Sequence, residues 1–292
     1  MRAAFAWSVA VLSFSVACAE LPSETPNEST QTDDVLTANR IGLNRIGLNR
    51  IGLNRIGLNR IGLNRIGLNR LSVNLESAGD LLDTDEGREV FSLAMSCALD
   101  EATTLVATID GTDFEFPGEI GLAPGWLSHP LGHEGQNWVS ACMFARSNLH
   151  EVVLPISMRG DHKGLETDRD ERQSFPLQEG AFYGNIFGPT DRPIPWYACR
   201  GRDQAKGESG GLADRDCTEP DPANPGFTLC GLIYAGDCGS FARDQACESF
   251  SDRGKFYERC HTAPISQRDH RRDCGHDHDE VFREVITTYV TM

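Results

Sequence analysis

Beyond residue 17 the chain has no apolar run long enough to cross a bilayer as a helix, which excludes a later helical membrane span. It has 10 cysteines but no C-x-x-C pair. Zinc ribbons and thioredoxin-like redox sites present two sulfurs from one turn through that spacing, so both are disfavoured. H-E-x-x-H is also missing. His129 and His133 stand four apart beside Glu134, but Pro130 and Gly132 break the helix that would bring both imidazoles to one face, leaving loop and helix-capping roles. EF-hand spacing is absent around Asp161, Asp168, Asp170 and Glu171, which read as a solvated acidic loop rather than a calcium site. Arg159-Gly160-Asp161 reads as a chance tripeptide. Cationic charge is scarce too: the net charge is −16, a poor match for nucleic acid.

What is present begins with export signals. Arg2 precedes an apolar run from Ala3 to Ala17, the pattern of a signal peptide over residues 1–18. Ser15-Val16-Ala17-Cys18 resembles a bacterial lipobox, with Ser15 where that family prefers Leu. The resemblance implies that Cys18 is acylated and becomes the first mature residue, with the membrane as partner through the lipid; Ala17-Cys18-Ala19 is alternatively an ordinary cleavage site. Residues 19–38 are rich in Pro, Ser, Thr, Asn and acids, too polar to fold, and read as a tether. The expected location is the cell envelope, with the lipid in the outer membrane.

Residues 39–75 hold six perfect copies of Ile-Gly-Leu-Asn-Arg, from Ile41 to Arg70. A five-residue period matches neither a helical stripe nor a strand face. Ile and Leu pointing inward with Gly at the corner resembles the pentapeptide-repeat β-solenoid, although that family prefers a small residue at the Ile position and Asn or Asp at the Gly position. Six units make a short solenoid, so a semi-flexible linker is the preferred reading. From Thr37 to Leu75 the chain carries seven Arg and no acid, whereas residues 1–36 carry −4, leaving −19 for residues 76–292. This basic belt would attract anionic glycans or lipid headgroups, or simply pair with its own acidic body.

Residues 76–292 predict an α+β body in which two packed helices lie against a mostly antiparallel sheet. Asp83 and Glu86 resemble a capping box, and Val90, Phe91, Ala94, Cys97, Ala98 and Ala102 share a helical face. Leu105–Ile109 and Thr112–Phe116, joined by Asp110-Gly111, predict a hairpin with a type I′ turn. A second helix is predicted over Glu134 to Asn148, and a disulfide between Cys97 and Cys142 follows from both lying on core-facing sides. Strands are predicted at 152–158, 181–187, 195–200, 227–234 and 284–291, with Pro155 marking an edge or irregular strand.

The body resembles a group of uncharacterised, cysteine-rich exported bacterial proteins. The likeness is carried by Gly121-Leu122-Ala123-Pro124-Gly125-Trp126, Trp138-Val139-Ser140-Ala141-Cys142, Ile156-Ser157-Met158-Arg159-Gly160, Glu179-Gly180-Ala181-Phe182-Tyr183-Gly184-Asn185 and Trp196-Tyr197-Ala198-Cys199. It implies export and one compact body, and no activity. Nine cysteines fall in it, at 97, 142, 199, 217, 230, 238, 247, 260 and 274, a density that reads as disulfides with one cysteine left over, to stay free, bridge two molecules, or pair with Cys18 if Cys18 is not acylated.

Three groups of residues remain as sites. Lys206-Gly-Glu-Ser209-Gly-Gly211 resembles the nucleophile loop of chymotrypsin-like proteases, but Glu208 and Leu212 replace Asp and Pro and no base segment accompanies it. His270, Cys274, His276 and His278 form the densest group of potential ligands for a divalent metal such as zinc or copper, weighed against a solvated loop. Phe182, Tyr183, Phe187, Trp196 and Tyr197 would suit a carbohydrate face, although a core role is the better expectation. The leading expectation is a non-enzymatic envelope lipoprotein with a binding or structural domain and no cofactor. The alternative is an exported hydrolase or metal-dependent enzyme using the Ser209 loop or the Asp/His-rich segment.

Overall fold

The computed structural model describes residues 42–43, 71, 79–149, 154–188, 194–208, 210–239, 245–262 and 280–292. The expectations for Cys18, the tether, Ser209, His270, Cys274, His276 and His278 lie outside the described residues, as does most of the repeat.

The fold is α+β. A short helix α1 (Gly79–Leu82) turns at once into α2 (Asp85–Ala98), where the side chain of Thr84, not Asp83, accepts the Gly87 N–H at 3.0 Å and Asp85 and Glu86 sit in the positive first turn. Gly87 makes that corner possible, since a Cβ there would lie 1.7 Å from the Leu81 carbonyl oxygen. Ala102 lies beyond the helix and is exposed. The hairpin β2 (Thr104–Ile109) and β3 (Thr112–Pro117) forms as predicted, with Asp110 and Gly111 at φ of 50° and 80°. Helix α3 (His133–Ala145) is buried over its whole second half, and Cys97–Cys142 bonds it to α2 across a Cα separation of 6.0 Å.

The main sheet comprises β1 (Gly42–Leu43), β4 (Pro155–Arg159), β11 (Ile286–Val290), β5 (Leu177–Gly184), β6 (Trp196–Arg200) and β7 (Ile233–Asp237), in that spatial order. All neighbours are antiparallel except β6 and β7. Pro155 opens β4 opposite Leu43 of the first repeat unit, so β1 rather than β4 lies at that edge. The strand predicted over 227–234 begins only at Ile233, because Phe227 to Leu232 form a tight turn in which Thr228 N–H reaches the Leu232 carbonyl at 2.7 Å.

Both faces of this sheet are covered, and alternation along the strands divides the side chains between two cores. Ile156, Met158, Phe182, Ala198, Ile286 and Val290 pack beneath α2 and α3. Ala181, Tyr183 and Cys199 point the other way, onto a second sheet of β8 (Cys247–Ser251), β9 (Phe256–His261) and β10 (Val281–Phe282). Three further disulfides, Cys199–Cys238, Cys217–Cys230 and Cys247–Cys260, staple the loops and the second sheet. The four bonds consume eight of the nine cysteines of the body, which identifies Cys274 as the odd one.

The β5 and β11 ladder carries a bulge: Thr288 faces Gly180 and Tyr289 faces Gln178, leaving Glu179 as the extra residue. The bulge sends Glu179 to the helix side. There it is fully buried, accepts Thr288 Oγ1 at 2.7 Å, and pairs with Arg215 Nε at 2.8 Å. Arg215 Nη2 also ties down the Ala145 carbonyl at the end of α3, at 2.6 Å.

Candidate functional site

On the second face, beyond the edge of the β8–β9–β10 sheet, the main sheet changes from apolar to polar. Ser157 pairs with Tyr289 and Arg159 with Thr287, while Gln178 faces Tyr289 from the other side, so these residues share one face. Of these, Arg159, Gln178 and Tyr289 floor a cavity of about 650 Å³.

Arg159 is the deepest cation. It is 2 % exposed, its guanidinium carbon lies 3.6 Å from the Tyr289 ring centroid, Nε donates to Ser157 Oγ at 2.9 Å and Nη2 to the Phe175 carbonyl at 2.7 Å. Burial pulls its pKa down to about 10, opposed by the charge of Glu171, so it stays protonated at neutral pH. Gln178 links the floor. Its Nε2 donates to the Tyr289 hydroxyl at 2.9 Å and its Oε1 accepts from Tyr257 at 3.4 Å and from the Arg202 N–H at 3.1 Å. Burial pushes the Tyr289 phenol up to about 12 and raises Tyr257 as well, so both are neutral hydrogen-bonding groups rather than bases.

Three short segments supply the walls. Helix α4 (Arg169–Ser174) starts at Asp168, whose side chain accepts the Glu171 N–H at 2.8 Å; its turn presents Arg169, Arg172 and Gln173 to the cavity. Helix α5 (Arg202–Ala205) brings Arg202, which pairs with Asp203 at 3.2 Å. Burial works against ionisation of Asp203, but the Gln178 N–H and Arg202 hold its carboxyl below the usual range. The β8–β9 hairpin contributes Phe250, Asp252, Lys255 and Tyr257, and Tyr257 N–H docks it on Thr287 Oγ1 at 3.0 Å.

Charge is unevenly compensated around this cavity. Arg202 has Asp203, and Lys255 has Asp252 at 3.4 Å. Among the described residues, Arg159, Arg169 and Arg172 have no carboxylate within ion-pair distance; Arg172 donates to the carbonyl and hydroxyl of Thr167 instead. Three guanidiniums without direct counter-ions converge on one cavity of a chain whose net charge is −16. No family model, curated protein or solved structure matches this chain.

The residues singled out in the sequence fare differently. Asp168 caps α4 and Glu171 is buried, with its carboxyl raised by burial and bonded by Ser157, so the acidic loop is in part a helix start tied to the cavity floor. Asp161 lines a separate polar cleft with Glu134 and Glu284. His129 follows a 3₁₀ turn (Pro124–Leu127); His133 opens α3 and lies 3.4 Å from Asn137 Nδ2, and the cap position is taken by Gly132 with no side-chain bond. Neither histidine caps the helix. Phe182, Tyr183 and Phe187 are buried and Trp196 and Tyr197 half-buried, as core residues. The sulfurs of Cys199, Cys238 and Cys247 lie within 4.8 Å of one another, yet all belong to disulfides and offer no thiolate to a metal. Arg159, Arg169 and Arg172 were missed. The alternation Ser157, Met158, Arg159 and the i,i+3 pair Arg169 and Arg172 were the available signals, each too short to stand out.

Proposed function

We propose that this protein is an exported, lipid-anchored component of the cell envelope whose disulfide-stapled body binds a small anionic ligand in the arginine-lined cavity. The observation that carries the reading is the trio Arg159, Arg169 and Arg172, which line one cavity of an acidic chain with no direct ion pair to a described carboxylate, Glu171 acting on Arg159 and Arg172 only at longer range. Guanidiniums bind carboxylate, phosphate and sulfate through paired N–H donors. Tyr289 adds a hydroxyl to the floor, and its raised pKa favours binding over proton transfer. The Arg2 to Cys18 segment supports export and acylation, and four disulfides fit an oxidising compartment. The tether and the Arg-rich repeat then hold the body off the membrane, the repeat drawing it toward anionic glycans or lipid headgroups.

The test is calorimetric titration of the mature chain with inorganic sulfate and phosphate, beside the Arg169→Gln/Arg172→Gln variant. Salt-sensitive binding that weakens at least about tenfold in the variant is expected, on the scale of one lost charge-assisted bond. Absent binding, or equal affinity in both proteins, would refute the reading.

A further inference from the structure

Resting on the anion-binding reading, we infer that the ligand is an acidic saccharide, a sugar bearing a carboxylate or a sulfate ester. The cavity holds more than a bare oxyanion would use. Its volume of about 650 Å³ lies within the range of small-molecule pockets and far exceeds one tetrahedral ion. Phe250 stands in its wall at 38 % exposure, the only aromatic among the large exposed hydrophobics of the described residues. Tyr257 packs edge-on against that ring at 4.9 Å and Lys255 lies 6.0 Å from its centroid, which fixes the ring as a platform instead of leaving it to collapse into the core.

The polar groups divide in the same sense. Arg159, Arg169 and Arg172 are donors only, and suit the oxyanion. The Asp252 carboxylate and the Gln173 amide, also in the lining, supply acceptors that an inorganic anion cannot use and sugar hydroxyls require. A flat apolar platform, hydroxyl acceptors and a guanidinium cluster within one open cavity match the three parts of an acidic sugar: its C–H face, its hydroxyls and its oxyanion. A nucleotide also brings a ring, ribose hydroxyls and an oxyanion, and it serves as the competing ligand.

The experiment titrates the mature, oxidised chain with a sulfated disaccharide, a uronate disaccharide, the neutral disaccharide of the same linkage, inorganic sulfate and a nucleoside monophosphate. An acidic disaccharide is expected to bind about two- to tenfold tighter than inorganic sulfate, as one added stacking contact would give, and the two acidic probes decide which oxyanion is preferred. Phe250→Ala should bring the acidic disaccharide down to the affinity of sulfate, with Phe250→Leu, apolar but not flat, recovering little; Arg169→Gln should weaken every anion. Acidic disaccharides no tighter than sulfate, a neutral disaccharide as tight as the acidic ones, or a tighter nucleotide would each overturn the saccharide assignment and leave anion binding standing. Failure of every anion would instead remove the underlying reading.

Discussion

Arg215 and Glu179 are fully buried and bonded at 2.8 Å, and replacing Arg215 by Met separates packing from charge. Methionine fills much of the volume but removes the Nε contact to Glu179 and the Nη2 contact to the Ala145 carbonyl at 2.6 Å. Glu179 would keep only Thr288 Oγ1, at 2.7 Å, and its Oε1 already lacks a partner. Breaking a buried pair by removing one member costs about 3–5 kcal/mol, because the survivor is an uncompensated buried charge. For a body of this size that is a fall in Tm of roughly 6–20 °C. The double variant Arg215→Met/Glu179→Leu removes both charges together and should recover most of the loss, since a buried ion pair is near break-even against apolar groups of similar volume. Urea unfolding followed by tryptophan fluorescence, disulfides intact, gives both values. A single variant within about 1 kcal/mol of the parent, or a double variant no better than the single, would refute the view that charge burial is the dominant cost at this position.

His162 should confer a pH dependence. Its Nδ1 accepts the Gly164 N–H at 2.9 Å and its ring packs 5.3 Å from Trp138, and burial lowers its pKa despite the nearby acids Glu134 and Asp161. A base depressed on folding leaves stability intact above its ordinary value of about 6.5 and lost as the pH falls through it. Stability measured from pH 8 to 5 should therefore decline below about 6.5, and His162→Asn, which keeps an acceptor for Gly164 but does not titrate, should flatten that decline; an unchanged slope would contradict the assignment. Among the disulfides, Cys97→Ala/Cys142→Ala opens a loop closed over 45 residues and Cys217→Ala/Cys230→Ala one closed over 13. Chain entropy puts these losses at about 4 and about 3 kcal/mol, so differential scanning calorimetry should rank the first variant as the less stable; the reverse order would show native-state packing outweighing chain entropy.

The two helices and the Asp110-Gly111 hairpin were legible because each is encoded in one short run by period or turn chemistry, and the Cys97–Cys142 bond because each cysteine lies on the core-facing side of its own helix. The second sheet was not. Cys247–Ser251 has exposed and half-buried positions in mixed order, and Ser249 takes a positive φ of 57°, so no clean alternation marks the strand. Its partner becomes visible only through the cross-strand pair Cys247 and Cys260, a contact set by the fold. The bulge at Glu179 was hidden for the same reason: a run such as Gln178-Glu179-Gly180-Ala181 reads as simple alternation until the register with β11 is known. The cavity combines six separate stretches with no more than two lining residues in succession, and no single stretch carries its charge.

The unpaired arginines also bear on why the cavity exists. A buried cation without a direct ion pair costs stability, and Arg159 offsets that cost in part, through the Tyr289 ring, the carbonyl of Phe175 and the nearby charge of Glu171. The chain has acids to spare, with 43 Asp and Glu against 27 Lys and Arg. It sets Asp203 beside Arg202 and Asp252 beside Lys255, at the margins, while Arg159, Arg169 and Arg172 make no direct ion pair among the described residues. An apolar side chain at Arg159 would complete the second core at little cost, so packing alone does not call for arginine there. Nor does solubility, since Arg159 is 2 % exposed and adds nothing to the surface. What the arrangement does provide is a group of donors held by Ser157, Phe175 and Thr167 before any ligand arrives, and preorganised donors reduce the ordering cost that association must overcome. The disulfide Cys247–Cys260 at the base of the β8–β9 hairpin serves the same end, fixing Phe250 and Lys255 over the floor that Arg159 and Tyr289 form.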